Sequence, residues 1–127
     1  MGDHPNAATY RAAFAAFAEG DAAAFQNHLA DDVVWHTLTG ETLNGSAAVA
    51  ESMSGLAETD FRVELHDVVA NDGHLVGLVT ANVSAGGKSI TYRTAEINHV
   101  NEEGKISERW AFAEDTAAVA DFFNSLG

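Results

Sequence analysis

Four strand-length runs, rich in β-branched and aromatic residues, follow one another between residues 60 and 113. Only three or four residues separate each run from the next, with turns at Asn71-Asp72-Gly73, Gly86-Gly87 and Glu102-Glu103-Gly104. A parallel crossover needs about a dozen residues, so the runs 61–70, 74–84, 89–100 and 105–113 are predicted to form an antiparallel meander. Such a sheet must bury one face, and the flanking segments have to supply the cover.

The segment before the meander supplies it. From Pro5 onward Ala8, Ala12, Phe14, Ala15, Phe17 and Ala18 recur near helical spacing, and proline suits a first helical turn. Gly20 can end this helix in a left-handed conformation, and Asp21 can cap a second helix running to about Leu29, with Phe25 and Leu29 one turn apart. Residues 32–38 read as a strand, broken by Thr39-Gly40 and Asn44-Gly45. Ser46 then caps a third helix to about Glu58, with Val49, Met53 and Leu56 on one face. A closing helix from Asp115 to about Asn124 carries Val119, Phe122 and Phe123. The order predicts an α+β fold: a cone-shaped, curved, mostly antiparallel sheet wrapped around N-terminal helices, with a pocket at the open end.

With 127 residues, one proline, and no linker or repeat, the chain reads as a single domain over residues 1–127. At this length folding buries roughly two-thirds of the unfolded surface, enough for a core without metal or disulfide staples. The absence of cysteine removes thiol nucleophiles, zinc-thiolate sites and iron-sulfur sites. Six Lys and Arg against nineteen Asp and Glu give a net charge of −13, with the basic residues scattered from Arg11 to Arg109. That field repels nucleic acid and anionic membrane surfaces and favours neutral or cationic small molecules. No apolar run approaches the roughly 20 residues that span a bilayer. Met1-Gly2-Asp3-His4-Pro5 has neither a basic nor an apolar leader character, so a cytoplasmic protein is expected. There is no phosphate-binding glycine loop, no dinucleotide-binding glycine motif and no GxSxG elbow, and no cofactor is expected.

Several local motifs add to this order. They are Gly20-Asp21, residues 29–36 (Leu-Ala-Asp-Asp-Val-Val-Trp-His), residues 65–72 (Leu-His-Asp-Val-Val-Ala-Asn-Asp), Asn98-His99-Val100 and Glu103-Gly104-Lys105-Ile106. Together they resemble the nuclear transport factor 2-like superfamily, and more narrowly its SnoaL-like polyketide cyclase and ketosteroid isomerase-related branch. The resemblance covers nearly the whole chain and implies a cystatin-like α+β barrel. Function must still be argued from the site, because one fold hosts many chemistries.

The resemblance also shows which family chemistries this chain lacks. The ketosteroid isomerase tyrosine, aspartate base and protonated aspartate fall on Ala13, Thr37 and Asn98, so the base is missing. The SnoaL-like acid/base aspartate that follows a tryptophan falls on Ala111, after Trp110. The Asp-Arg-Asp set of limonene-type epoxide hydrolases is absent as well.

Period-two alternation sorts the remaining candidates. If Asn98 faces inward, so do Glu96 and Thr94, and His99 faces out. If Ala111 faces inward, so do Arg109 and Ala113, leaving Trp110 and Phe112 on an outer face that a homodimer through the sheet would cover. The first strand admits two registers. Counting back from Gly40 puts Thr37 inside with Trp35 and Val33, whereas the usual position of a polar ligand contact puts His36 inside with Val34. The second is favoured, because the imidazole is the best remaining acid or base near neutral pH. The expected catalytic set is therefore His36, Asn98 and Glu96, with ligand contacts from Tyr10, Phe14, Phe17, Trp35, Thr37, His66 and Arg109. Glu96 and Arg109 are expected to pair across the ladder. That pair is either structural, or Arg109 binds a ligand oxygen while Glu96 removes an acidic C–H proton. Only His36 and His66 could both face the cavity, too few ligands for a metal site. The expected function is a pocket for a small neutral apolar or aromatic molecule, with isomerase, cyclase or dehydratase-type proton transfer. A noncatalytic ligand-binding or dimeric interaction domain is the alternative.

Overall fold

The computed structural model describes residues 4–55 and 59–126. Helix α1 (Pro5–Ala18) has proline in its first turn and is followed by Gly20 at φ 95°. Asp21 then caps α2 (Ala22–Gln26), its Oδ1 accepting from the Ala24 N–H at 3.1 Å. α2 is shorter than the apolar spacing predicts. The His28 carbonyl accepts from the Ile106 N–H at 3.0 Å, so the sheet takes over the chain and Leu29 opens strand β1 (Leu29–His36) instead of closing a helix.

Residues 37–41 form a tight reversal, in which the Thr37 N–H donates to the Glu41 carbonyl at 2.8 Å and Gly40 lies at φ 94°. This turn leads into β2 (Thr42–Asn44), an unanticipated short strand that pairs antiparallel with β1. Gly45, at φ 94°, and not Ser46, occupies the cap of α3 (Ser46–Ser54). The predicted contribution of Leu56 and the helix end at Glu58 lie outside the described residues.

The meander follows the predicted runs to within a residue or so: β3 (Asp60–Ala70), β4 (His74–Ala85), β5 (Lys88–Val100) and β6 (Ile106–Ala113). Asp115 caps α4 (Thr116–Asn124) through a 3.0 Å bond from the Ala118 N–H. Among the described residues the strands form one curved, open six-stranded sheet in the order β2-β1-β6-β5-β4-β3, antiparallel except where β1 meets β6. α1 and α2 cover the concave face, and the core lies between, around Tyr10, Phe14, Phe25, Val33, Trp35 and Leu75. On β4 burial alternates strictly, with Leu75, Gly77, Val79, Ala81 and Val83 turned inward. No helix among the described residues is long and apolar enough to cross a membrane.

One buried polar group in this core makes stability depend on pH. His28 is 7% exposed, its Nε2 has no hydrogen-bond partner among the described residues, and burial lowers its pKa below 6.5. The unfolded chain therefore takes up a proton near pH 6.5 that the folded chain refuses, so this contribution is present above that pH and lost as the pH falls. The stability difference between the native chain and His28→Gln should shift in favour of the variant below about pH 6.5. Urea unfolding at pH 7.5 and 5.5 reads this directly, and a pH-independent difference would refute it.

Candidate functional site

A cavity of about 330 Å³ opens on the concave side of the sheet, where the helices leave part of the face uncovered. Phe14 and Phe17 of α1, Phe25 of α2, Trp35 of β1 and Phe61 of β3 make its wall aromatic, and Val119 and Phe123 of α4 border it. One side is polar, and Thr39, Glu41 and Ser52 add polar lining beyond it. Tyr92, Thr94 and Glu96 project from alternate positions of β5, with Arg109 from β6 and Thr37 from the end of β1.

The centre of this polar side is an ion pair. Arg109 Nη2 stands 3.3 Å from Glu96 Oε1, with side chains only 12% and 11% exposed. The pairing is diagonal, because Glu96 sits opposite Ala111 and Asn98 opposite Arg109. Arg109 Nη1 also donates to the His36 carbonyl at 3.2 Å, and its guanidinium lies 4.1 Å over the Trp35 ring, a cation–π contact. Behind Glu96, the fully buried Tyr10 donates its hydroxyl to the same Oε1 at 3.3 Å. Burial first, and the negative charge of Glu96 second, hold the Tyr10 pKa well above 10.0, so the hydroxyl stays a donor throughout the working range. Burial and Glu96 raise the pKa of Tyr92 as well. Both contacts fall on Oε1, which leaves Oε2 as the carboxylate oxygen available to a ligand.

A glycine makes the Tyr10 contact possible. Gly77 is the β4 residue directly opposite Glu96, and a Cβ there would come within 2.9 Å of Tyr10 Cε2. The tyrosine ring occupies the space that a side chain would fill.

The expected parity of β5 and β6 holds, and the candidates Phe14, Phe17, Trp35, Thr37, Glu96 and Arg109 meet at the cavity. Thr37 and Ala111, onto which the resemblance drawn from the sequence would place carboxylates, line it too. His36 does not face the polar side. Its ring stacks 5.1 Å from Trp110 on the outer face, with Nε2 2.8 Å from Glu108 Oε2 and Nδ1 3.2 Å from Thr42 Oγ1. The reason is hydrophobic: turning Val33 and Trp35 inward buries more apolar surface than turning Val34 and His36, and the two inward residues are 0% and 8% exposed.

Asn98 points inward but lies beneath the cavity. It is 1% exposed, its amide donates to the Leu75 and Glu96 carbonyls at 3.3 and 3.2 Å and so braces the strands, and its Oδ1 has no partner among the described residues. His66 is the extra residue of a bulge, since Leu65 pairs with Val79 and Asp67 with Leu78, and it is exposed away from the cavity lining. Tyr10 supports the site from behind. Tyr92 and Gly77 were not among the sequence candidates. Tyr92 follows from continuing the inward parity of Thr94 by two residues, and Gly77 from the rule that an isolated glycine in a strand marks a close approach. Among the described residues no group of three or more His, Asp or Glu is placed to hold a metal ion.

The chain is thus an α+β domain whose curved sheet borders a largely apolar cavity. The chain belongs to the SnoaL-like domain family, whose pattern matches residues 10–109. Among solved structures it is similar to Bal32a from a soil-derived mobile gene cassette, with 23% identity, 92% of this chain and 95% of the other covered, and a TM-score of 0.83. It is also similar to TerC co-crystallised with polyporic acid (20% identity, 95% and 99% covered, TM-score 0.79). A third is an LEH-like epoxide hydrolase from M. tuberculosis (18% identity, 95% and 88% covered, TM-score 0.74). At these identities the likeness is one of fold. No protein of curated function matches the sequence.

Proposed function

We propose that this chain binds a small, neutral, largely apolar molecule in the cavity and moves a proton on it without a cofactor, in an isomerisation, cyclisation or dehydration. Glu96 acts as the acid/base and Arg109 faces a ligand oxygen. One observation carries the reading: a nearly buried carboxylate stands at the polar side of an aromatic cavity, with one oxygen engaged by Tyr10 and Arg109 and the other left over. Glu96 Oε2 would take a proton from a carbon beside a carbonyl, and Arg109 would stabilise the charge that develops on the carbonyl oxygen. The pair is internally neutral and the chain carries −13, so a neutral substrate fits better than an anion.

The test begins with a thermal-shift screen of enones, aromatic ketones and epoxides, since a ligand at 100 times its Kd stabilises the fold by about 2.7 kcal/mol. For a compound that is turned over, Glu96→Gln should retain binding and lower kcat by about 100-fold or more, whereas His36→Ala should leave kcat unchanged. Full activity in Glu96→Gln would remove this residue from the mechanism.

The outer face of the sheet supports a proposal about assembly. Leu78 and Phe112 are 42% and 56% exposed and lie in one row across β4, β5 and β6, with Ala95 between them. The neighbouring row holds Val76, Ile97 and Trp110. We propose that a second copy of the chain covers this face. Phe112→Glu should convert the dimer to a monomer in size-exclusion chromatography with light scattering, and a native chain that is monomeric at every concentration would end the idea.

A further inference from the structure

The hydrogen-bonding groups on the polar side of the cavity are unevenly matched. Glu96 accepts from Tyr10 and faces Arg109 on Oε1, and among the described residues no donor is placed on Oε2. Two residues earlier on the same inward face, the hydroxyl of Thr94 is buried with no partner among the described residues, and the Arg109 Nε–H is in the same position. Among the described residues nothing opposite satisfies them. Across the ladder Glu96 meets Ala111 and Thr94 meets Ala113, so methyl groups stand where polar partners would have to be. Buried polar groups without partners are rare, because each forfeits its hydrogen bonds to water.

A molecule that fills this space expels water from Glu96 Oε2, whereas Thr94 Oγ1 and Arg109 Nε are already shielded from water and gain only from a partner that the molecule brings. It must therefore offer a donor to Glu96 Oε2 and an acceptor to Thr94 and Arg109, from atoms close together. Phe14, Phe17, Phe25, Trp35 and Phe61 supply aromatic faces elsewhere on the wall, which suits a flat ring system. A carboxylate would bring a second negative charge beside Glu96, and Arg109 is already compensated. A simple ketone would leave Oε2 desolvated without a donor.

We propose, resting on the cavity as the ligand site described above, that it selects planar aromatic molecules bearing an uncharged group that donates and accepts from neighbouring atoms. An aryl carboxamide is the simplest of these. The selection is made by Glu96 on the donor side and by Thr94 with Arg109 on the acceptor side.

Four probes of one shape separate the terms: 2-naphthamide, 2-acetonaphthone, 2-naphthoate and naphthalene, titrated calorimetrically into the full chain at pH 7. The amide should bind about 10-fold or more tightly than the ketone, because the ketone leaves a buried acceptor unpaired. Naphthoate should not bind. In Glu96→Gln the side-chain oxygen must keep accepting from Tyr10 and facing Arg109, so the amide nitrogen takes the place of Oε2. A donor then replaces the acceptor, and the order of amide and ketone should reverse. Thr94→Val, which keeps the shape, should weaken both and spare naphthalene. If amide, ketone and naphthalene bind the native chain equally, the apolar cavity stands and the proposed selection falls. If naphthoate binds tightest, Arg109 is free for anions and the selection again falls. If none of the four binds, the cavity is not a ligand site and both readings fall.

Discussion

Arg109→Met should lower the stability of the chain by about 3 kcal/mol, and adding Glu96→Gln should recover most of that loss. Removing one member of a buried ion pair leaves the other charge desolvated and uncompensated, which typically costs about 3–5 kcal/mol, whereas replacing both members by neutral groups of similar size is often nearly neutral. The lower end applies here because the pair borders a cavity of about 330 Å³ that water can enter. Methionine keeps the unbranched stem and a polarisable contact with the Trp35 ring, so the change isolates the charge and the bond to the His36 carbonyl. Urea unfolding of the four members of the double-mutant cycle gives the coupling. The expected result is a double variant more stable than Arg109→Met alone. Additive losses would mean that the two side chains do not interact, and the site as described would have to be abandoned.

What the sequence disclosed and what it hid follow one physical divide. Turns and most helix starts are local, and they were legible: Gly86-Gly87, Gly20, Asp21 and Asp115 need no knowledge of the rest of the chain to be placed, although the cap of α3 fell on Gly45 and not on Ser46. The inward parity of Glu96 and Arg109 was legible for a similar reason, because long antiparallel strands alternate without interruption. Parity failed where a long-range contact or a bulge intervened. His66 sits where β3 accommodates one extra residue, and no pattern in residues 60–70 marks the bulge. His36 was placed by its chemistry, as the most useful side chain, when its orientation is decided by the greater bulk of Val33 and Trp35 beside it. Asn98 was assigned the correct face, yet depth along that face, which separates a cavity wall from its underside, depends on how far Tyr10 of α1 reaches in. The short β2 was missed because it is stable only as the partner of β1.

The same contact between α1 and β4 makes Gly77→Ala the most informative single methyl group that can be added to this chain. The new Cβ would lie 2.9 Å from Tyr10 Cε2 and 3.0 Å from its Oη, closer than carbon atoms pack. Tyr10 cannot swing aside, being fully buried with its ring centroid 5.2 Å from that of Phe14. Alanine in a strand interior is intrinsically better than glycine by roughly 0.5–1 kcal/mol, whereas overpacking a filled core costs about 1–3 kcal/mol, so a net loss of about 1–2 kcal/mol is expected. Function should suffer more than stability. The displaced hydroxyl is the one that holds Glu96 Oε1 at 3.3 Å, and a carboxylate freed on that side no longer presents Oε2 in a fixed direction. Tyr10→Phe separates the two effects, since it removes the bond to Glu96 without adding volume. If the wedge is real, Gly77→Ala and Tyr10→Phe should lower ligand affinity alike, and their combination should cost less than the sum, because one of the atoms the new methyl strikes is already gone. A Gly77→Ala chain as stable as the native one, with ligand affinity intact, would show that Tyr10 does not reach Glu96 through the gap in β4.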